Sequence, residues 1–513
     1  MAGRSLARAT LAVALAVVLA GCRSRADDAS WRSDCAPPER PPPLGLAAAR
    51  AARRDADRRH EVRLREAAAP GTFMHEMHDA LDPQRMAAGK MCLAEVDDRG
   101  QQLFEHEYSY ADGLGGGDAA KSTAGPFRRV QAGLFGGPET LSCPSCHWVG
   151  GPNGAGAETD NAFLQGDGDR TGSGDARNPP ALVALGVVQA LAREMSRDLQ
   201  KARDDLVRDA ARAGSGREAH LTAKGVDFGV LKASASGALD ASGLRGVDPD
   251  LMVKPFGWKG TAATFADIAN EALQIHMGIQ SASLVATGSR ELIGDGDDRT
   301  DPDRDGVREE LGAGPFAAMM THLALLEMPI MQPLIQDRQL PAAAHALLPP
   351  TTTSFADDFQ RGRQDFHTLG CASCHVPMLV LDSPIVQIEG LPPIDLARDM
   401  QEPSLTYDPA LHGYPVWLFS DLKRHDMGAA NAAQHVQRGV ALNDYLTPRL
   451  WGVADSGPYL HDGRAPSFDY AIAGHEGEGA AARAAFQALP WNDRGPLRVY
   501  LMSLRRVRRV VVR

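Results

Sequence analysis

The stretch SCPSCH, at residues 142–147, decides how the rest of the chain is interpreted. It contains two cysteines, Cys143 and Cys146, with two residues between them, and His147 follows directly. Covalent haem c attachment requires this C-x-x-C-H order, because both thiols add to porphyrin vinyl groups while the adjacent histidine ligates the iron. The stretch therefore predicts a haem c site.

The same motif occurs a second time in GCASCH, at residues 370–375, with Cys371, Cys374 and His375. Pairs of C-x-x-C motifs also form zinc sites, but those pairs usually stand about 15 to 20 residues apart. In this chain they lie in distant segments, although zinc and a redox disulfide remain alternatives. We expect two covalent haem c groups, with His147 and His375 as iron ligands.

The N-terminal residues are typical of a bacterial export signal. Two arginines precede an apolar run at residues 11–20, which is too short to cross a bilayer. The run ends in LAGC, residues 19–22, which resembles a lipoprotein cleavage site. We expect a signal peptide at residues 1–21, a lipid on Cys22 and a periplasmic protein anchored to a membrane surface. An ordinary secretory signal is the alternative.

Cys35 and Cys92 have no role in these motifs. In an oxidising compartment two remaining thiols often pair. A disulfide between them and two unrelated thiols are both open.

The composition indicates a globular protein with long irregular connections. The 513 residues are 43% hydrophobic, which is enough for two or three domains, and 52 glycines with 34 prolines indicate extensive loops. The formal net charge is −11, and the only basic block is the C-terminal RRVRRVVVR. We therefore expect no nucleic acid partner.

Shifts in composition divide the chain into segments. Residues 22–70 are rich in alanine, arginine and proline, which is typical of a tether. Residues 71–339 and 356–513 contain one motif each, and a linker rich in proline and alanine separates them at residues 340–355. Helical apolar spacing dominates over strand patterns. We predict a mainly α protein with two cytochrome-c-like haem domains and long irregular loops.

A weak internal repeat supports two related halves. WKGTAATF, residues 258–265, and HDGRAPSF, residues 461–468, share a glycine and a phenylalanine at the same spacing. Each is predicted to enter a helix, with Thr264 or Ser467 as its N-cap.

Together these pieces resemble a known family. The chain resembles the bacterial di-haem cytochrome c peroxidase superfamily, and most closely its branch of di-haem oxidoreductases. PYLHDGR downstream of a second C-x-x-C-H is the most specific feature. The matching pieces follow one order from about Gln101 to the C-terminus: LFEHEYSYADGLG, SCPSCH, ARNPPAL, FGWKGTAATF, HMG, FQRGRQDFHTLGCASCH, DLKRHDMG, TPRLWGV, GPYLHDGRAPSFDYAI and HEGE.

The resemblance implies a far-side ligand for the second haem. In the peroxidases a methionine usually follows the histidine of HDG, but the matching position after His461 holds His475 in this chain. A thioether raises the haem potential relative to imidazole, so a bis-histidine second haem is expected to be a weaker oxidant. Met427, in HDMG, is the alternative ligand, and His475 as a surface histidine is the other alternative.

The resemblance also implies that peroxide reacts at the first haem. In the superfamily an acidic residue downstream of a tryptophan assists cleavage of the O–O bond, whereas here Trp258 is followed by His276. His276 could transfer a proton between the two peroxide oxygens, ligate the iron and block the site, or serve the fold alone. Glu271 is the alternative acid. Trp258 is expected to relay electrons between the haems.

A calcium ion is a further implication of the resemblance. The peroxidases hold one ion between their domains with an asparagine side chain and two backbone carbonyls. The matching positions here are Asn178 and the carbonyls of Ser456 and Pro458. Oxygen donors from distant segments suit a hard cation.

Three functions follow from these observations. The first is an oxidoreductase of the peroxidase type, with peroxide as the electron acceptor and a small redox protein or a quinol-linked donor supplying electrons. The second is an electron carrier in which both irons are six-coordinate. The third is an oxygenase, since di-haem rubber-cleaving oxygenases belong to the same superfamily. The superfamily peroxidases are often dimers, so a homodimer is an expectation from the resemblance.

Overall fold

A computed structural model describes residues 30–32, 72–115, 139–165, 170–287, 309–329, 355–401 and 404–506 of the chain. The predicted signal peptide, its lipid site at Cys22, Cys35 and nearly all of the predicted linker lie outside these residues. Cys92 is disulfide-bonded, and its partner also lies outside them. The pairing of Cys35 with Cys92 and the domain boundaries therefore stay predictions.

The prediction of a mainly α protein built on two cytochrome-c-like domains is wrong. The described residues contain eleven strands in five small sheets, and every strand pair is antiparallel. Helices supply much of the core, but short strand pairs and irregular segments connect them throughout. The fold combines helices with several separate sheets.

The helices and strands have the following bounds. The helices are α1 Thr72–Ala80, α2 Pro83–Ala87, α3 Leu93–Glu105, α4 Leu185–Ala213, α5 Phe265–Ala272, α6 Ala282–Thr287, α7 Ala313–Leu325, α8 Phe355–Thr368, α9 Leu396–Asp399, α10 Phe468–Ala473, α11 Ala480–Ala488 and α12 Gly495–Met502. The strands are β1 Ala162–Leu164, β2 Asp175–Arg177, β3 Arg217–Ala223, β4 Val226–Ala233, β5 Leu239–Leu244, β6 Leu379–Leu381, β7 Ile385–Val386, β8 Ile394–Asp395, β9 Tyr414–Val416, β10 Arg424–Asp426 and β11 Asp444–Leu446.

The largest sheet is a meander of β3, β4 and β5 that follows the long helix α4. Its first turn consists of Lys224 and Gly225, which both have positive φ and connect the paired residues Ala223 and Val226. Such a two-residue turn matches the twist of a hairpin. Several other strands are only two or three residues long, which is too short for the alternating pattern that predicts a strand.

The second motif follows helix α8, which packs against helix α12. Helix α8 ends at Thr368, three residues before Cys371, so it leads into the second motif as the sequence predicted. Helix α8 packs closely on α12 at Gly362, where an added Cβ would lie only 2.0 Å from the carbonyl oxygen of Pro496. Only glycine permits this approach of the two backbones. The motif therefore starts from a rigid helix pair.

The internal repeat is present in the fold. Isolated bridges join Phe256 to Ala262 and Tyr459 to Ala465, at the same spacing in both halves. Thr264 caps the following helix by accepting a hydrogen bond from the Asp267 backbone N–H at 3.1 Å, and the Thr264 N–H donates to the Asp267 carboxylate at 3.1 Å. Ser467 occupies the corresponding N-cap position without a side-chain hydrogen bond.

One continuous cluster of buried side chains extends through both halves of the described chain. Backbone contacts reinforce it: the Asn178 N–H donates to the His461 carbonyl at 2.8 Å, and the Leu446 N–H donates to the Trp258 carbonyl at 2.9 Å. The two repeats thus hold each other in position across the centre of the molecule.

Candidate active site

The two C-x-x-C-H motifs adopt the same local conformation. Each begins with one turn of 3₁₀ helix, at Cys143–Ser145 and Cys371–Ser373. The N–H of His147 donates to the Cys143 carbonyl at 3.1 Å, and that of His375 donates to the Cys371 carbonyl at 3.0 Å. This turn places both cysteines and the histidine of each motif on one short segment.

The histidine of each motif is held by backbone carbonyls. Nδ1 of His147 lies 3.1 Å from the Pro180 carbonyl and 3.3 Å from that of Gly154, and Nδ1 of His375 lies 3.2 Å from that of Phe419. Burial lowers the pKa of each histidine to about 4. Each imidazole is therefore neutral at pH 7, and Nδ1 donates to the carbonyl. The lone pair of Nε2 remains for a metal.

The four motif thiols fit neither a disulfide nor a shared zinc site. Cys143, Cys146, Cys371 and Cys374 are not in disulfide bonds. Burial raises the pKa of Cys143 to about 12 and that of Cys371 to about 11, which disfavours the thiolate that zinc requires. Among the described residues, one group of three side chains is close enough together to hold a metal ion, and it consists of Cys374 and two residues outside the motifs.

Those two residues are Asp421 and His425, and hydrogen bonds already occupy both ring nitrogens of His425. Nε2 lies 2.8 Å from Asp421, and Nδ1 lies 2.8 Å from Glu478. Burial would lower the pKa of His425, but Asp421 and Cys374 outweigh it and raise the value to about 11. His425 is therefore a cation held between two carboxylates rather than a metal ligand.

A cavity of about 650 Å³ joins the two motifs. Its walls are predominantly apolar, as is typical of a cofactor site. Every described residue that the sequence predicted for the site lines it: Cys143, Cys146, His147, Asn178, Trp258, Glu271, His276, Cys371, Cys374, His375, Ser456, Pro458 and His475.

His475 faces His375 within this cavity. Their ring centres are 6.4 Å apart, with 58° between the ring planes. Nδ1 of His475 lies 2.8 Å from the Ala471 carbonyl, which leaves Nε2 for the cavity. Burial lowers the pKa of His475, so its imidazole is also neutral at pH 7. Met427, the alternative ligand, lines the same cavity.

His276 forms a pair with a residue that the sequence analysis missed. Its Nδ1 lies 2.6 Å from Oε2 of Glu139, four residues before Cys143. Burial would lower the pKa of His276, but the charge and hydrogen bond of Glu139, with the charge of Glu271, raise it. A π-helical turn, Leu273–Met277, carries His276, and such turns are frequent at functional sites. No sequence signal connects Glu139 to His276, because they are far apart in the chain.

Glu271, the alternative acid, is engaged by side chains from the second half of the chain. Arg438 forms an ion pair with it at 3.2 Å, and the Gln437 amide donates to it at 3.4 Å. The side chain is buried. Such pairing favours a structural link between the two halves over a proton donor.

Trp258 and Asn178 are connected at the centre of the cavity wall. The indole N–H of Trp258 donates to the Asn178 carbonyl at 2.7 Å. The Asn178 amide nitrogen lies 3.0 to 3.1 Å from three oxygens, of Gly156, Ala157 and Asn161. Calcium at Asn178, Ser456 and Pro458 stays a prediction.

Two C-x-x-C-H motifs line one apolar cavity, each with a neutral histidine, and these residue types fit the attachment of two haem groups. Residues 343–504 match the family described as "Di-haem oxidoreductase, putative peroxidase". The match confirms, for that part of the chain, the resemblance to the di-haem oxidoreductase branch. The family name suggests haem cofactors and oxidoreductase activity.

No curated protein matches the chain. Within the part that the structure describes, no helix combines the length and the apolar character needed to cross a membrane.

Proposed function

We propose that the protein is a di-haem c oxidoreductase that reduces peroxide at the first motif with electrons stored at the second. One observation carries the proposal: the cavity joins both motif histidines, and among the described residues a second imidazole faces only His375. His375 is opposed by His475, with 6.4 Å between ring centres. No ring contact of this kind joins His147 and His276, although the structure describes both.

The residues of the cavity fit haem. Each motif offers two thiols outside disulfides and a neutral imidazole on one turn, and apolar walls would contact the porphyrin. When bound, haem supplies iron at which peroxide accepts two electrons and, with two protons, becomes two water molecules.

The second site is closed by its pair of histidines. His375 and His475 would hold the iron of a haem at the second motif between them, with 6.4 Å between their ring centres. Carbonyl acceptors at both Nδ1 atoms fix the rings with Nε2 available. This site is suited to storing an electron rather than binding substrate.

The first site is suited to proton transfer. Glu139 accepts the Nδ1 proton of His276 and raises its pKa, which favours the imidazolium form, a poor metal ligand. The Nε2 proton then faces the cavity, where His276 can deliver it to the departing peroxide oxygen. The pair thus replaces the single carboxylate of the superfamily with an oriented acid.

Electrons require a path and a donor. Trp258 lines the cavity shared by both motifs, and its hydrogen bond to Asn178 fixes the indole there. A small redox protein or a quinol-linked donor would deliver electrons to the second site. The proposed setting is the periplasm, with a lipid on Cys22 as the membrane anchor.

Optical and electron paramagnetic resonance spectra of the matured protein, with and without peroxide, test the proposal. We expect one low-spin and one openable haem, and a peroxide response in the oxidised or half-reduced state that His276→Ala weakens by about 10²-fold or more. His220→Ala, at a histidine with 68% side-chain exposure, is the matched control. Two low-spin haems whose spectra do not change with peroxide in any redox state would favour the electron carrier. A peroxide-silent protein with one open haem that consumes oxygen with an apolar substrate would favour the oxygenase.

A further inference from the structure

Two arginine side chains on the cavity wall lack an anionic partner. Arg177 is only 8% exposed, and its Nη1 donates to the Ala176 carbonyl at 2.8 Å. Its Nε and Nη2 atoms are buried and have no hydrogen-bond partner among the described residues. Both arginines, Arg177 and Arg449, line the cavity. None of the steps proposed above uses them.

The surroundings of Arg177 are already positive. Lys259 is completely buried and lies with Nζ 3.8 Å from the centre of the Tyr445 ring, while Cζ of Arg177 lies 5.9 Å from the same centre. The Lys259 ammonium donates to backbone carbonyls rather than to a carboxylate. Burial, aided by the Arg177 charge, lowers the pKa of Lys259 to about 8. The charges of Asp444 and Asp175 oppose this shift without outweighing it, so Arg177 and Lys259 are two buried cations beside one ring.

The nearest carboxylate in sequence, Asp175, is committed elsewhere. It lies 3.2 Å from Nδ1 of His435 and accepts backbone hydrogen bonds from Gln434 and His435. It forms no ion pair with Arg177 in the described part of the chain. Asp175 therefore makes no direct contact that neutralises Arg177, and the cavity is the space from which an anion can reach the guanidinium.

Arg449 is a second arginine of the cavity wall with a buried nitrogen, Nε, that lacks a hydrogen-bond partner among the described residues. Its Cζ lies 6.0 Å from the Trp451 ring centre. Burial lowers the pKa of Arg449 to about 10, with no carboxylate opposing the shift. The guanidinium is still charged at neutral pH.

Each arginine is connected to the carbonyl that holds one motif histidine. Arg177 stands three residues before Pro180, which accepts from His147. Arg449 precedes Leu450, whose N–H donates to the Leu418 carbonyl, one residue before the Phe419 carbonyl that accepts from His375. The first arginine thus belongs to the wall of the first motif, and the second to that of the second motif.

A charged guanidinium in an apolar cavity is costly unless an anion pairs with it. Its planar fork matches a carboxylate, which accepts two parallel hydrogen bonds. Haem carries two propionate carboxylates. We propose that Arg177 binds a propionate of the haem at the first motif and that Arg449 binds a propionate of the haem at the second. The inference rests on the proposed presence of two haems and not on peroxide as the substrate.

The test uses the matured protein with Arg177→Met, Arg177→Lys and Arg449→Met, and Arg212→Met at a 75% exposed side chain as the control. Resonance Raman spectra report the propionate bending bands, and potentiometric titration reports each haem separately. We expect Arg177→Met to shift the bands and lower the midpoint potential of the first haem alone, because the lost cation no longer disfavours ferric iron. Arg449→Met should do the same to the second haem, and Arg177→Lys should give a smaller shift.

Other outcomes overturn the inference. Unchanged bands and potentials in variants that retain both haems would show that the arginines do not contact propionate. Acetate added to the wild type tests a solute carboxylate as the alternative anion. An acetate-induced spectral change that Arg177→Met abolishes, with unshifted propionate bands, would make this a substrate subsite instead. Because the readouts need no peroxide, failure here is distinguishable from failure of the proposed function.

Discussion

The ring centres of His375 and His475 lie 6.4 Å apart, although 100 residues separate the two histidines in the chain. One histidine belongs to the second C-x-x-C-H motif and the other follows helix α10. Both have Nδ1 on a backbone carbonyl, so both present Nε2 to the space between them. This relationship predicts a bis-histidine second haem.

Replacing His475 should therefore change the second haem and spare the first. His475→Met should keep the iron low-spin and raise its midpoint potential, because a thioether favours ferrous iron relative to imidazole. His475→Ala should convert one low-spin signal to high-spin. Electron paramagnetic resonance and potentiometry measure both effects. An unchanged low-spin signal in His475→Ala would shift the assignment to Met427.

Glu139→Gln should alter the pH dependence of the peroxide reaction. Glu139 contributes to the raised pKa of His276, so removing its charge should lower that pKa and move the alkaline limb of the rate profile to lower pH. The sign for stability follows from the same shift. A raised folded-state pKa stabilises the protein fully below the usual histidine value near 6.5, and this contribution is lost as pH rises through the folded value.

Stopped-flow rates across pH 5 to about 9, with thermal unfolding at the same pH values, check this prediction. Glu218→Gln, at an exposed glutamate, is the matched control. An identical rate profile in Glu139→Gln would remove His276 from proton transfer.

Each motif should bind one haem independently. Cys143→Ala and Cys371→Ala should each leave a single covalent haem, because each variant lacks one of the two thiols that attachment requires at one motif and keeps the other motif complete. A pyridine haemochrome assay and denaturing mass spectrometry count the haems. Zero or one haem in the fully matured wild type would contradict the interpretation of both motifs.

Trp258→Phe should slow electron transfer between the haems while peroxide binding continues. The indole lines the shared cavity and its N–H bonds to Asn178, and phenylalanine loses that hydrogen bond. Rapid-mixing spectroscopy of the half-reduced protein separates the two steps. Trp491→Phe, at a 67% exposed tryptophan, controls for general effects. Equal transfer rates in both variants would argue against the relay.

Cys22→Ser should release the protein from membranes. A lipidated N-terminal cysteine would be the anchor of a chain whose described helices cannot cross a bilayer. Detergent phase partitioning and mass spectrometry of the mature N-terminus measure the effect. A soluble wild type with an unmodified terminus would show that the signal is an ordinary secretory one.

Parts of the fold were predictable where the signal was local. The helix before the second motif and the N-cap of α5 at Thr264 both have signals in adjacent residues, and both are present. The strands were missed because most are short and depend on partners far along the chain. The meander of β3 to β5 did have a local signal, the turn at Lys224 and Gly225 between alternating segments.

Both C-x-x-C-H motifs, and hence the expectation of two haems, could be recognised in the sequence, because all the atoms of that chemistry lie within a few adjacent residues. The resemblance also pointed to His276 and His475. Only the folded structure shows that Glu139 pairs with His276, that His475 faces His375, and that Nε and Nη2 of Arg177 have no hydrogen-bond partner among the described residues. Such contacts join distant segments and result from the summed packing of many side chains, which no short stretch of sequence encodes.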